Sequence, residues 1–173
     1  MENVPLNVNG LGLQDPLIIA ELACGHEGDV EKFISLLDGV KKSGVNVVKS
    51  QIFKVEERVL KNHPEWSIFS KLYFSDEEWR IIAREIKIRE MRLFSDVFGY
   101  ESLQLAVDLD VDGLKIHSED SLNYEFIAAA ARTGKMILIG VGASHRREIY
   151  DLLKFLQKEG LNEKIVLMPG VQT

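Results

Sequence analysis

Lys135-Met136-Ile137-Leu138-Ile139-Gly140-Val141 is a short apolar run rich in strand formers, and it stops at Gly142. The residues beyond it change period. Ile149, Leu152, Leu153, Phe155 and Leu156 recur at helical spacing across 145–159, with Lys and Glu opposite. Ser144 stands where an N-cap belongs, and Gly160 stands where a helix ends. This is one βα unit. The same unit recurs outward in both directions. Runs at Leu17–Leu22, Val45–Phe53, Met91–Val97, Val111–His117 and Lys164–Met168 are the other strands. Helical segments fall near 30–43, 75–89, 100–109 and 122–133, and Gly44 and Gly134 end two of them.

Strands alternating with helices across short turns predict a parallel sheet covered by helices. An open doubly wound sheet and a (β/α)₈ TIM barrel both fit that pattern. No G-x-G-x-x-G follows the first strand, which argues against a dinucleotide site. Leu6–Leu13 reads as a hairpin turning at Asn9-Gly10. On the barrel reading, the expected division is 1–16 as a hairpin capping the barrel and 17–173 as a partial (β/α) barrel. A closed barrel needs eight strands and about 200 residues or more. This α/β chain covers about six βα units, an incomplete barrel, so it reads as a fragment or an open relative.

Bulk properties narrow the function. With 46% hydrophobic and 28% charged residues, the 173-residue chain can bury a core, and disorder is not expected. No apolar run approaches the ~18 residues that span a bilayer, and the start lacks the charged and apolar regions of a secretory signal. Cys24 is the sole cysteine, so no internal disulfide forms. These features point to the cytoplasm. A net charge of −6 argues against nucleic acid or anionic membrane as partner. It leaves room for a small anionic substrate held by a few placed lysines.

Ligands of parallel α/β folds bind at the carboxyl ends of the strands. Polar residues are dense there. Strand one ends with Glu21, followed by His26. Strand two carries Lys49 and Gln51, two apart and so on one face with Val47. Strand three ends Ser95-Asp96. Strand four carries Lys115, His117 and Ser118. Strand five ends Gly140-Val141-Gly142, and strand six ends near Gln172. A lysine inside an apolar strand costs free energy unless it is paired or binds an anion. Lys49 and Lys115 thus suggest a clamp for a phosphate or carboxylate. The plain alternative pairs each with a neighbouring carboxylate such as Glu21 or Asp96.

Four segments in register carry a resemblance. Ile19-Ala20-Glu21-Leu22-Ala23-Cys24-Gly25-His26-Glu27-Gly28-Asp29 resembles I-A-E-[IL]-G-x-N-H-x-G-D, the opening motif of the sialic acid synthase family. Val48-Lys49-Ser50-Gln51-Ile52-Phe53-Lys54 resembles that family's V-K-F-Q-x-F-K. Lys115-Ile116-His117-Ser118-Glu119-Asp120 resembles K-I-x-S-x-D, and Met168–Thr173 resembles the sixth-strand segment of some members. The family condenses phosphoenolpyruvate (PEP) with N-acetylmannosamine or a related amino-sugar and releases phosphate. The resemblance implies a TIM barrel in which Lys49, Gln51, Lys115 and Ser118 contact PEP. Glu21 would face the sugar and act with Lys49 and Lys115, while His26, Asp96 and Gln172 would be further substrate-binding candidates. It also implies a divalent metal, manganese or magnesium, whose ligands are expected outside these residues.

The departures from the family pattern are specific. Gly25 stands for the motif's asparagine. Ser95-Asp96-Val97-Phe98 stands for S-T-P-F, so a carboxylate replaces a threonine that helps hold phosphate, and it would repel phosphate unless paired or protonated. Gly140-Val141-Gly142 stands for S-T-G. No metal ligand is expected among His26, His63, His117 and His145: His26 reads as structural or sugar-facing, His63 as exposed, His117 as packed and His145 as a surface residue. Trp66, Phe69, Tyr73, Phe74 and Trp79 should pack the second loop against the barrel. Cys24 reads as a small buried side chain, and Arg146-Arg147 as solvent-exposed. Little or no synthase activity is expected of these residues alone. Two other readings stay open. One is a Schiff-base aldolase using Lys49 or Lys115, which borohydride trapping would detect. The other is a non-catalytic sugar- or anion-binding barrel, or a subunit completed by another chain. Exposed sheet edges favour association, and a homo-oligomer is expected.

Overall fold

The computed structural model describes residues 17–142 and 144–170; the expected hairpin at 6–13 and Gln172 lie outside them. Six strands are ordered β1-β2-β3-β4-β5-β6: Ala20–Ala23, Val47–Gln51, Arg92–Asp96, Gly113–Ile116, Met136–Gly140 and Ile165–Met168. The pairs β1–β2, β2–β3 and β5–β6 are parallel. Chain order without reversal is the winding of a (β/α) barrel. A doubly wound sheet reverses direction at its switch point, and this one does not. The chain divides into two compact units, one spanning Ile18–Leu114 and one from Lys115 onward.

In the first unit, α1 (Val30–Lys42) starts where the Asp29 carboxylate accepts from the Lys32 amide at 3.0 Å. It buries Phe33 and Leu37, one turn apart. The helix stops at Gly44, whose φ of +82° suits a residue without Cβ. Two short helices that sequence reading left as loop follow β2: α2 (Val55–Arg58) and α3 (Trp66–Leu72). In α4 (Asp76–Ile88), Ser75 and Glu78 form a reciprocal capping box. Trp79, Ile82 and Ile86 fall on its buried face. Phe33, Phe74 and Trp79 meet edge to face, at 5.9 Å for Phe33–Trp79 and 5.4 Å for Phe74–Trp79. Each such buried ring contributes on the order of 2–3 kcal/mol. Phe69, Tyr73 and Phe98 pack around Phe53, so the aromatic residues of the loop do secure it. The unit continues through β3 and α5 (Tyr100–Asp108) into β4. Glu57 caps α5 from outside, accepting from the Glu101 amide at 2.8 Å and the Ser102 amide at 3.1 Å.

In the second unit, a 3₁₀ turn (Ser118–Asp120) leads to α6 (Tyr124–Arg132), which buries Phe126, Ile127, Ala128 and Ala130. Strand β5 is apolar and buried from Met136 to Ile139. Helix α7 (Arg146–Lys158) buries Leu152 and Leu156. Its N-cap is His145, not the expected Ser144. The Ser144 hydroxyl instead meets that of Ser121 at 3.0 Å, while the Glu148 carboxylate reaches back to the His145 amide at 2.6 Å. A glutamate at N3 can supply the reciprocal half of a cap by itself, which frees the serine.

Candidate functional site

Three adjacent strand ends of the first unit build the site. Register sets Glu21 beside Lys49, and Gln51 beside Asp96. The Lys49 side chain is only 5% exposed, and its ammonium lies between two carboxylates. It donates to Asp96 Oδ1 at 2.8 Å and Oδ2 at 2.9 Å, and it also contacts Glu21 Oε2. The two carboxylates differ in exposure: the Asp96 side chain is 1% exposed and that of Glu21 is 47% exposed. Asp96 is therefore the fixed partner and Glu21 the one in reach of solvent. Gln51 extends the network, donating to Asp96 Oδ2 at 3.4 Å and accepting from the Cys24 thiol at 3.4 Å. Burial raises the Cys24 pKa, and the charges of Glu21 and Asp96 add to that while Arg58 opposes it. An unreactive thiol is the outcome.

Backbone geometry aims Glu21. The β1–β2 register shifts between Glu21 and Ala23, and Ala23 takes φ +43°. Its amide donates to Glu21 Oε1 at 3.0 Å, which holds the other carboxylate oxygen toward Lys49. The family motif has glycine at this position, which is the residue a left-handed conformation favours. Ala23 is a departure that reading the motif alone passed over.

His26 lies elsewhere. It is 0% exposed, with its ring 4.3 Å from Phe74 and 5.7 Å from Phe33. Nδ1 accepts from the Gly28 amide at 3.0 Å, and Nε2 has no hydrogen-bond partner. Burial, helped by the Lys32 charge, lowers its pKa to about 4. The imidazole is thus neutral and packed among rings, which favours the structural one of its two expected roles. Gly28 explains its own place in the motif: its φ is +81° and a Cβ would collide with the Lys71 carbonyl.

In the second unit, half-buried Lys115 is the penultimate residue of β4 and Ser118 opens the 3₁₀ turn. Gly140 packs its Cα against this turn. A Cβ there would sit 3.0 Å from the Ser118 amide nitrogen, so the turn and the missing serine hydroxyl at 140 go together. Among the described residues, no group of three or more His, Cys, Asp or Glu could hold a metal ion. The Glu21 and Asp96 carboxylates of the first unit meet the Lys49 ammonium. No described helix is long and apolar enough to cross a membrane. Sequence reading also missed Arg58, half-buried at the end of α2, because a charged residue in a short loop helix carries no periodic signal.

Known proteins share the sequence pattern and fold of this chain. The NeuB family model matches residues 36–173. An uncharacterized protein of Methanocaldococcus jannaschii is 26% identical over 168 residues, covering 96% of this chain and 50% of that protein. Pseudaminic acid synthase of Helicobacter pylori is 26% identical over 160 residues, covering 84% of this chain and 47% of the enzyme. Among solved structures, N-acetylneuraminic acid synthetase from Leptospira borgpetersenii, crystallised with citrate, superposes with a TM-score of 0.84 at 24% identity, over 92% of this chain and 55% of that one. The chain spans about half the length of the curated relatives it matches. With its strand order, its motifs in register and a family match over most of its length, the chain belongs to the NeuB family.

Proposed function

We propose that this chain supplies the PEP-handling part of a cytoplasmic synthase that condenses PEP with an N-acylated amino-sugar to a nonulosonate. The observation that carries this reading is the buried Lys49 at the carboxyl end of a parallel strand, with a solvent-reachable carboxylate as one of its partners. An incoming anion exchanges with Glu21, while Asp96 stays in place. Gln51 donates from its amide to the substrate carboxylate. Lys115 and Ser118 carry the same expectation through the family motif. Released from Lys49, Glu21 turns toward the sugar. C3 of the enol attacks the sugar aldehyde carbon, water adds at C2, and phosphate leaves with cleavage of its C–O bond. The family's divalent metal would polarise that aldehyde. No described residue set fits that metal.

Calorimetric titration with PEP tests the reading. Saturable binding that is lost in Lys49→Met, in a variant with a native-like circular dichroism spectrum, is the expected result. Absence of PEP binding by the folded wild-type chain would favour a barrel that binds some other ligand. Phosphate release from PEP and N-acetylmannosamine should stay near background for these residues alone.

A further inference from the structure

Arg58 differs from three other cations of the first unit that are also withdrawn from solvent. Lys49 is held by Asp96 and Glu21, Lys54 by Asp76, and Arg89 by Asp38 and Glu85. Among the described residues, no carboxylate pairs with Arg58, and its Nε is buried with no hydrogen-bond partner. Two aromatic rings hold it instead. The guanidinium carbon lies 3.9 Å from the centroid of Phe98 and 4.9 Å from that of Phe69. Ring faces recover part of the cost of burying the cation, and they fix the guanidinium in place. They do not satisfy its in-plane N–H donors.

Its location is also informative. Arg58 ends the short helix after β2, and Phe98 lies two residues beyond the end of β3. Both belong to the carboxyl-end side of the strands. The thiol of Cys24, which bonds Gln51, feels the charge of Arg58 along with those of Glu21 and Asp96. Arg58 is thus within electrostatic reach of the Lys49 cluster, where Lys49 meets two carboxylates.

We infer that Arg58 is the cation this chain holds ready for the carboxylate of its substrate, which leaves the Glu21 side of Lys49 to the phosphate. The inference rests on the PEP reading for the identity of that substrate. A planar guanidinium presents two parallel donors, which match a carboxylate edge better than an ammonium does. Nε is sealed from solvent, so the donors Arg58 offers a ligand are its two terminal Nη groups.

The test is an NMR chemical-shift titration of the chain with pyruvate, PEP and inorganic phosphate, each separately. The variants are Arg58→Met, whose apolar stem can still lie between the rings, and Arg58→Lys. A urea midpoint for each variant confirms that it is folded. Pyruvate and PEP affinity should fall about ten- to a hundredfold in Arg58→Met, with phosphate affinity unchanged. Arg58→Lys should recover only part of the loss, because it restores charge without the fork. Unchanged pyruvate and PEP affinity in Arg58→Met would overturn the assignment, as would a loss confined to phosphate. Failure of the wild-type chain to bind any of the three would also overturn it. Arg58-dependent binding of pyruvate without binding of PEP would keep the carboxylate site and reject the synthase reading.

Discussion

Lys49 and His26 are both buried polar side chains of the first unit, and the protein treats them in opposite ways. Lys49 meets carboxylates on two sides, and one of them reaches solvent. His26 meets aromatic rings and a single backbone amide, with Nε2 unpaired. The first arrangement keeps a charge inside by surrounding it with opposite charge. The second keeps a titratable ring inside by denying it charge altogether. Only the first has a partner that a ligand can replace, and that separates a site from a support for the loop between β1 and α1.

The largest effect should come from breaking the buried pair. Lys49→Met removes the ammonium that Asp96 and Glu21 share and should cost about 3–5 kcal/mol in urea unfolding at neutral pH. Adding Asp96→Asn in the same chain should recover most of that loss. A midpoint unmoved by Lys49→Met would show that the fold does not depend on the pair. The next effect sharpens the contrast through pH. The His26 pKa is lowered from 6.5 to about 4, so its contribution is fully present above pH 6.5. It is lost as pH falls from there toward 4, because the unfolded chain takes up the proton first. The loss amounts to about 3 kcal/mol at most. His26→Gln, which keeps an acceptor for the Gly28 amide, should flatten the stability profile across that window. If the slope persists, other groups carry it. The smallest effect concerns the bulge that aims Glu21. Ala23→Gly relieves a left-handed alanine and should stabilise by about 1 kcal/mol. A loss of stability would mean that the Ala23 methyl contributes packing worth more than the strain.

Much of the fold was legible because its signals are local. Apolar runs, helical spacing at Ile149–Leu156, and Gly44, Gly134 and Gly160 each report on a few neighbouring residues. Strand order was not local, so the element pattern left barrel and doubly wound sheet open, and it was the family resemblance that pointed to the barrel. The site divided in the same way. Periodicity put Lys49 and Gln51 on one face, but the choice between free lysine and paired lysine depended on Asp96, 47 residues away. His26 matched a motif, yet its role hinged on Phe33 and Phe74 closing over it. Ser144 looked like a cap, but the adjacent His145 took that role with Glu148. Arg58 gave no signal, since its meaning lies in two rings contributed by α3 and the segment after β3.

The central claim is that Glu21 is the exchangeable partner of a lysine whose other partner is fixed. PEP titration of Glu21→Gln against the wild-type chain tests this most directly. Removing a competing carboxylate while keeping the Ala23 contact should tighten PEP binding by about tenfold. Unchanged or weaker PEP binding in a folded Glu21→Gln chain would contradict the account.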